Sequence, residues 1–139
     1  MPQVQAGEPS PNFFLDGNFS PVCEERDTDE MEVIGEIPDD LQGHFLRVGP
    51  HPVYVFSEAA YHTFDGDGMI HALEFRKGKA RYRNRFIRND GFELEQARGD
   101  WVYKGMNSLM DPAPSRVPEG APSSKNLANT AFAFHNNTL

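Results

Sequence analysis

A chain of 139 residues with 38% hydrophobic and 12% aromatic content is long enough for one domain with a core of its own. Its formal net charge of −8 sets it against phosphate backbones, which removes nucleic acid from the candidate partners. No apolar run approaches the roughly 20 residues that span a bilayer, no basic-then-apolar leader opens the chain, and one cysteine closes no internal disulfide, so a cytoplasmic protein is expected.

The acids are concentrated at the start. Residues 1–40 hold 11 of them against the single base Arg26, and the remainder of the chain is close to neutral. Residues 1–17 read as a flexible acidic and Pro-rich tail ahead of a folded portion over 18–139. The 11 prolines and 12 glycines cut the chain into short pieces, which favours strands and loops over long helices.

The first strand-like pattern is MEVIGEIP, residues 31–38, where Met31 and Val33 alternate with Glu32, Ile34 and Glu36; it predicts a half-buried strand ending at Pro38. A short strand follows around His44 to Val48 and stops at Gly49-Pro50. Two further runs, Met69 to Phe75 and Ala80 to Ile87, are joined by Arg76-Lys77-Gly78-Lys79, the chemistry of a hairpin. In the second run Tyr82 and Phe86 share one face while Arg81, Arg83 and Arg85 share the other, a solvated or acid-paired row for which Glu93 and Glu95 are the nearest partners in sequence. Residues 106–125 carry four prolines and read as a long loop. Beyond it, Phe132 and Phe134 alternate like a strand, HNNT supplies a turn, and Leu139 would begin the returning strand. A strand without its hairpin partner leaves an open edge, so an incomplete chain is expected, with a self-contained binding module as the rival.

Candidate chemistry is sparse. Asp65-Gly66-Asp67-Gly68 resembles the start of a calcium loop, but Met69 and Arg76 stand where that loop needs oxygen ligands, so a tight turn with its carboxylates on backbone N–H groups is expected instead. The five histidines, His44, His51, His62, His71 and His135, form no HExxH or HxH pair, and their spacing places no set of them on one face. His71 runs in register with Met69, Leu73 and Phe75 and is expected to be a buried, hydrogen-bonded core residue. There is no GxSxG elbow, no phosphate-cradling glycine loop, and Cys23 sits among acids that would raise its pKa.

Five segments in order, NFSPVCEE (18–25), GEIPDDLQGHFLRVGPHP (35–52), YHTFDGDGMIHALEF (61–75), GKARYRNRFIR (78–88) and NLANTAFAFHNNTL (126–139), resemble the N-terminal part of the carotenoid cleavage oxygenase family. The resemblance implies an all-β fold, part of a seven-bladed β-propeller whose remaining strands lie beyond Leu139. It implies a non-haem Fe(II) held by four histidines, with glutamates orienting the rings and dioxygen as co-substrate, and oxidative cleavage of a conjugated C=C bond to two carbonyls. The expected partner is an apolar polyene, a carotenoid or apocarotenoid, or a stilbene in a close relative, with peripheral membrane contact open to the full-length protein. The family's first iron-binding His and its ring-orienting Glu follow the ANT segment in motifs this chain does not contain. None of His44, His51, His62, His71 or His135 matches a ligand position, so no catalytic, cofactor-binding or metal residue is carried onto these 139 residues. FDGDGMIHA looks like the microbial and plant cleaving enzymes of the family, and the short loop at 106–125, where its plant enzymes carry a longer helical insertion, looks microbial.

Overall fold

The computed structural model describes residues 10–136 and Thr138, so most of the expected tail and the strand start at Leu139 lie outside the described residues. Four strands, β1 (Asp27–Thr28), β2 (Gly43–Pro50), β3 (Gly68–Arg76) and β4 (Lys79–Phe86), form one antiparallel sheet in the order β1-β4-β3-β2. Among the described residues a single α-helix, α1 (Asp90–Arg98), follows β4. A four-stranded antiparallel sheet of this kind is the unit from which propellers are built.

The β3–β4 hairpin forms where local chemistry predicts it. Its two-residue turn needs positive φ at both central positions, and Lys77 and Gly78 take φ values of 50° and 69°. The register pairs Met69 with Phe86, His71 with Asn84 and Leu73 with Tyr82, which puts all six on one face. Met69 and Phe86 then pack with Val53 and Phe92 into the main core, where the Phe86 and Phe92 rings stack at 5.1 Å. A smaller cluster joins Leu15 and Tyr61. Leu15 is buried and the Asn12 amide donates to the carbonyls of Glu58 and Tyr61, so the described end of the expected flexible tail is docked.

Three expectations fail for physical reasons. Residues 31–38 form no strand, because Gly35 turns the backbone to φ 96° and no neighbouring strand pairs with it; Ile34 is left 95% exposed. Residues 126–134 form no strand either, since Ala128 at φ 48° takes the backbone out of the extended region; the turn beyond it is present, with His135 and Thr138 exchanging backbone hydrogen bonds. The arginine row is acid-paired, but by Asp27 of β1 rather than by Glu93 or Glu95: Arg81 and Arg83 donate through Nε at 2.8 and 3.0 Å, and Arg85 lies 3.7 Å away. The guanidinium of Arg81 holds the Asp27 carboxyl below the usual carboxylate range. Glu93 pairs with Arg88 instead, and Glu95 is buried.

The helix was not foreseen, though its boundaries are written in the sequence. Asn89 caps it by accepting from the Phe92 N–H at 3.0 Å, Asp90 and Glu93 lie in the first turn, Arg98 lies in the last, and Gly99 ends it.

Candidate functional site

The turn Asp65 to Gly68 is the point where distant parts of the chain meet. The His62 imidazole caps the 3₁₀ turn Thr63–Asp65, accepting from the Phe64 N–H, while Asp65 accepts from the His62 N–H. The other Asp65 oxygen accepts from the Met106 N–H at 2.9 Å, which ties the turn to the long loop. Both aspartates thus bond to backbone N–H groups as expected for a tight turn, yet they reach much further along the chain than a local turn requires.

Asp67 belongs to a buried ion trio centred on Lys125. Lys125 Nζ contacts Asp67 Oδ1 and lies 2.6 Å from Glu95 Oε2, and all three side chains are under a tenth exposed. Each carboxylate uses its second oxygen on backbone: Asp67 accepts from the Val53 N–H, and Glu95 from the N–H groups of Val102 and Tyr103. Two acids against one base leave the trio one charge short of neutral. Burial accordingly pushes the Asp67 carboxyl above its usual range, against the pull of Lys125. Burial also opposes the Lys125 ammonium, but Asp67 and Glu95 together outweigh it and raise its pKa.

The segment after Lys125 lies along the turn. Gly68 N–H donates to the Leu127 carbonyl at 2.9 Å, and the Asn129 amide donates to the carbonyls of Phe64 and Gly66. Beside the trio is a cavity of about 400 Å³, walled by Val55, Phe56, Tyr61, Val102 and Leu127 with Glu95 and Lys125 at its polar edge. Its far wall is the 106–125 loop, which three cationic side chains pin in addition to the Met106 bond. Lys104 donates to the carbonyls of Asp111 and Ala113, Arg116 pairs with Asp100 and stacks over Trp101 at 3.9 Å, and Lys125 enters the trio.

The histidines are arranged differently from their sequence reading. His51 and His71, which spacing alone kept apart, meet with their Nε2 atoms 2.9 Å apart. His51 Nδ1 must accept, because its partner is the Val22 backbone N–H at 2.9 Å, so the His51 proton sits on Nε2 and is donated to His71. His71 then carries its own proton on Nδ1 and donates to the Tyr82 hydroxyl at 2.7 Å. Both rings are therefore neutral. Burial, aided by His71 and Arg47, pushes His51 down to about 4, and burial with Arg47 lowers His71. His71 is hydrogen-bonded as expected but only half-buried, and His44 and His135 are exposed.

A depressed histidine pKa stabilises the folded state above the unfolded value and loses that contribution as pH falls through the folded one. Stability attributable to His51 is thus complete above about pH 6.5 and declines toward pH 4. Urea midpoints measured across that window are expected to fall with pH in the native protein and to fall less in His51→Gln.

Among the described residues no group of three or more His, Cys, Asp or Glu side chains is placed to hold a metal ion. In this arrangement the His51 Nε2 carries the proton it donates to His71, so the two facing nitrogens are engaged with each other. Among the same residues no helix is long and apolar enough to cross a membrane.

Residues 19–139 match the family model described as retinal pigment epithelial membrane protein. The carotenoid 9,10(9′,10′)-cleavage dioxygenase 1 of Phaseolus vulgaris is 46% identical over 99 residues, which cover 71% of this chain and 18% of that protein. The carotenoid cleavage oxygenase of Mycobacterium tuberculosis is 46% identical over 89 residues, covering 63% of this chain and 18% of its own length. Among solved structures, the cobalt-substituted Synechocystis apocarotenoid oxygenase aligns with a TM-score of 0.64 at 29% identity, covering 84% of this chain and 25% of that one. The lignostilbene dioxygenase of Pseudomonas brassicacearum aligns at 0.63 with 21% identity over 75% of this chain and 24% of that one, a likeness of fold alone. The chain spans about a fifth of the length of the curated relatives it matches.

Proposed function

Because this chain belongs to the carotenoid cleavage oxygenase family, with residues 19–139 matched by the family model, we propose that it forms the N-terminal portion of a dioxygenase that cleaves a conjugated C=C bond of a carotenoid or apocarotenoid to carbonyl products. The all-β sheet is part of that family's propeller. Residues 18–139 belong to the propeller in this reading, and residues 1–17 precede it. The observation that carries the proposal is the continuous family match, supported by 46% identity to cleavage enzymes from a plant and a bacterium.

The role of these residues is architectural. Fe(II), when bound, would activate dioxygen for the cleavage, and its histidine ligands lie outside these 139 residues; His44, His51, His62, His71 and His135 hold no metal. What this chain supplies is the sheet, the ion-locked turn and a mostly apolar cavity wall, an environment suited to an uncharged polyene.

The test is aerobic turnover by the full-length protein carrying this chain, supplied with Fe(II) and offered a β-apo-carotenal and a hydroxystilbene side by side. Dioxygen-dependent cleavage of the polyene is expected, with iron content unchanged in His62→Gln and His71→Gln. Cleavage of the stilbene alone would move the substrate class to stilbenes, cleavage of neither would defeat the reading, and loss of iron in either variant would overturn the placement of the ligands.

A further inference from the structure

Residues 22–28 cross the outer edge of the sheet as a strap, and the strap is held by unlike chemistry at its two ends. Its later part is fastened many times. Arg26 N–H donates to the Asn84 side chain and Arg26 O accepts from Asn84 N–H; Glu25 accepts from the Phe86 N–H and from Arg88; Asp27 pairs with Arg81 and Arg83. Its beginning, Val22, leans on the main core and sends its N–H to His51 Nδ1.

The His51–His71–Tyr82 chain is saturated by two neutral rings. One ring nitrogen proton lies between the two Nε2 atoms, one goes to Tyr82, and the remaining lone pair, on His51 Nδ1, is occupied by Val22. An added proton has no vacant position. On His51 Nδ1 it displaces the Val22 N–H. On His71 Nε2 it opposes the His51 N–H, and relief by moving the His51 proton to Nδ1 again displaces Val22. The charged side chains acting on the pair add to the effect: Arg47 on β2 disfavours a new cation on either ring, and Arg26 of the strap and Arg47 both act on the Tyr82 hydroxyl.

We propose that the His51–His71 pair is an acid-operated latch for the first part of the strap, so that protonation lets Val22 lift from the core while the strands and the Arg26–Thr28 part of the strap stay in place. The opening is a local one, and its hinge lies at Glu24, whose carbonyl accepts from the Asn84 amide. This latch is independent of the enzymatic reading.

Amide hydrogen exchange in the full-length protein carrying this chain, corrected for the intrinsic rate and followed from pH 7.5 to 3.5, reads the latch directly. Protection of the Val22 amide is expected to drop about tenfold or more with acid, the loss of one hydrogen bond, while the β3 and β4 amides keep theirs. In His51→Gln the side-chain oxygen accepts the same N–H and takes up no proton, so the Val22 profile should be flat. Unchanged Val22 protection, loss only together with the strands, or an equal drop in His51→Gln would each reject the latch. Should His51→Gln misfold, the native profile decides alone on the first two outcomes.

Discussion

Lys125→Met is expected to cost about 3–5 kcal/mol of folding stability, because it leaves Asp67 and Glu95 buried side by side without their shared cation. Methionine keeps much of the volume and the straight stem, so the loss reports the charge rather than a cavity. Removing the stranded charges should have the opposite effect. Adding Asp67→Asn and Glu95→Gln removes the uncompensated charges while leaving an amide oxygen to accept from Val53 and from Val102, and the triple variant should recover part of the stability. Urea unfolding midpoints compare the three proteins. A loss below about 1 kcal/mol in the single variant, or a triple variant no better than the single, would mean that the trio does not lock the turn.

Gly68→Ala is the other change with a large expected effect. A Cβ at this position would stand 2.3 Å from the carbonyl oxygen of Ala128, which is backbone and has no flexible end to move aside. Accommodation requires the 127–129 segment to retreat, at the expense of the Gly68 N–H to Leu127 bond and the two Asn129 bonds that dock it. Overpacking against fixed backbone typically costs about 1–3 kcal/mol, and the broken hydrogen bonds place this site at about 3 or above. Gly49→Ala is the matched control in the neighbouring strand, since the nearest atom to its Cβ would be at 4.0 Å and the same substitution there should be close to neutral. Thermal unfolding of the two variants settles the comparison; equal melting temperatures would show that the close approach carries no strain.

How much of this was legible follows the range over which each signal acts. The hairpin could be read because its causes are neighbours: two alternating runs and a Lys77-Gly78 turn that accepts positive φ. Helix α1 was equally local, with Asn89, Asp90, Arg98 and Gly99 at its ends, but a weak apolar stripe and Gly91 within it concealed it. Residues 31–38 show the converse, since period-two alternation specifies a strand only when a partner strand is at hand. The ion trio and the His51–His71 pair were illegible for a plainer reason. Lys125, Glu95 and Asp67 each look like an ordinary surface charge until the 106–125 loop folds back, and the histidines meet only because β2 and β3 pair so as to bring residues 20 apart into contact. The family motifs nevertheless marked the right ground: FDGDG and the NLANT stretch are the two segments that the structure presses together.

The three-point pinning of the 106–125 loop separates two properties that usually travel together. Lys104, Arg116 and Lys125 fix the loop through carbonyls, an ion pair and the trio, and Asp111 and Ser115 brace it locally by accepting from the Ala113 and Val117 N–H groups, so these anchors hold the spans. Val117, Ser123 and their neighbours face the cavity from those spans. Their identities can therefore drift without dismantling the frame, and this wall of the cavity becomes a part of the protein that natural variation can retune one span at a time.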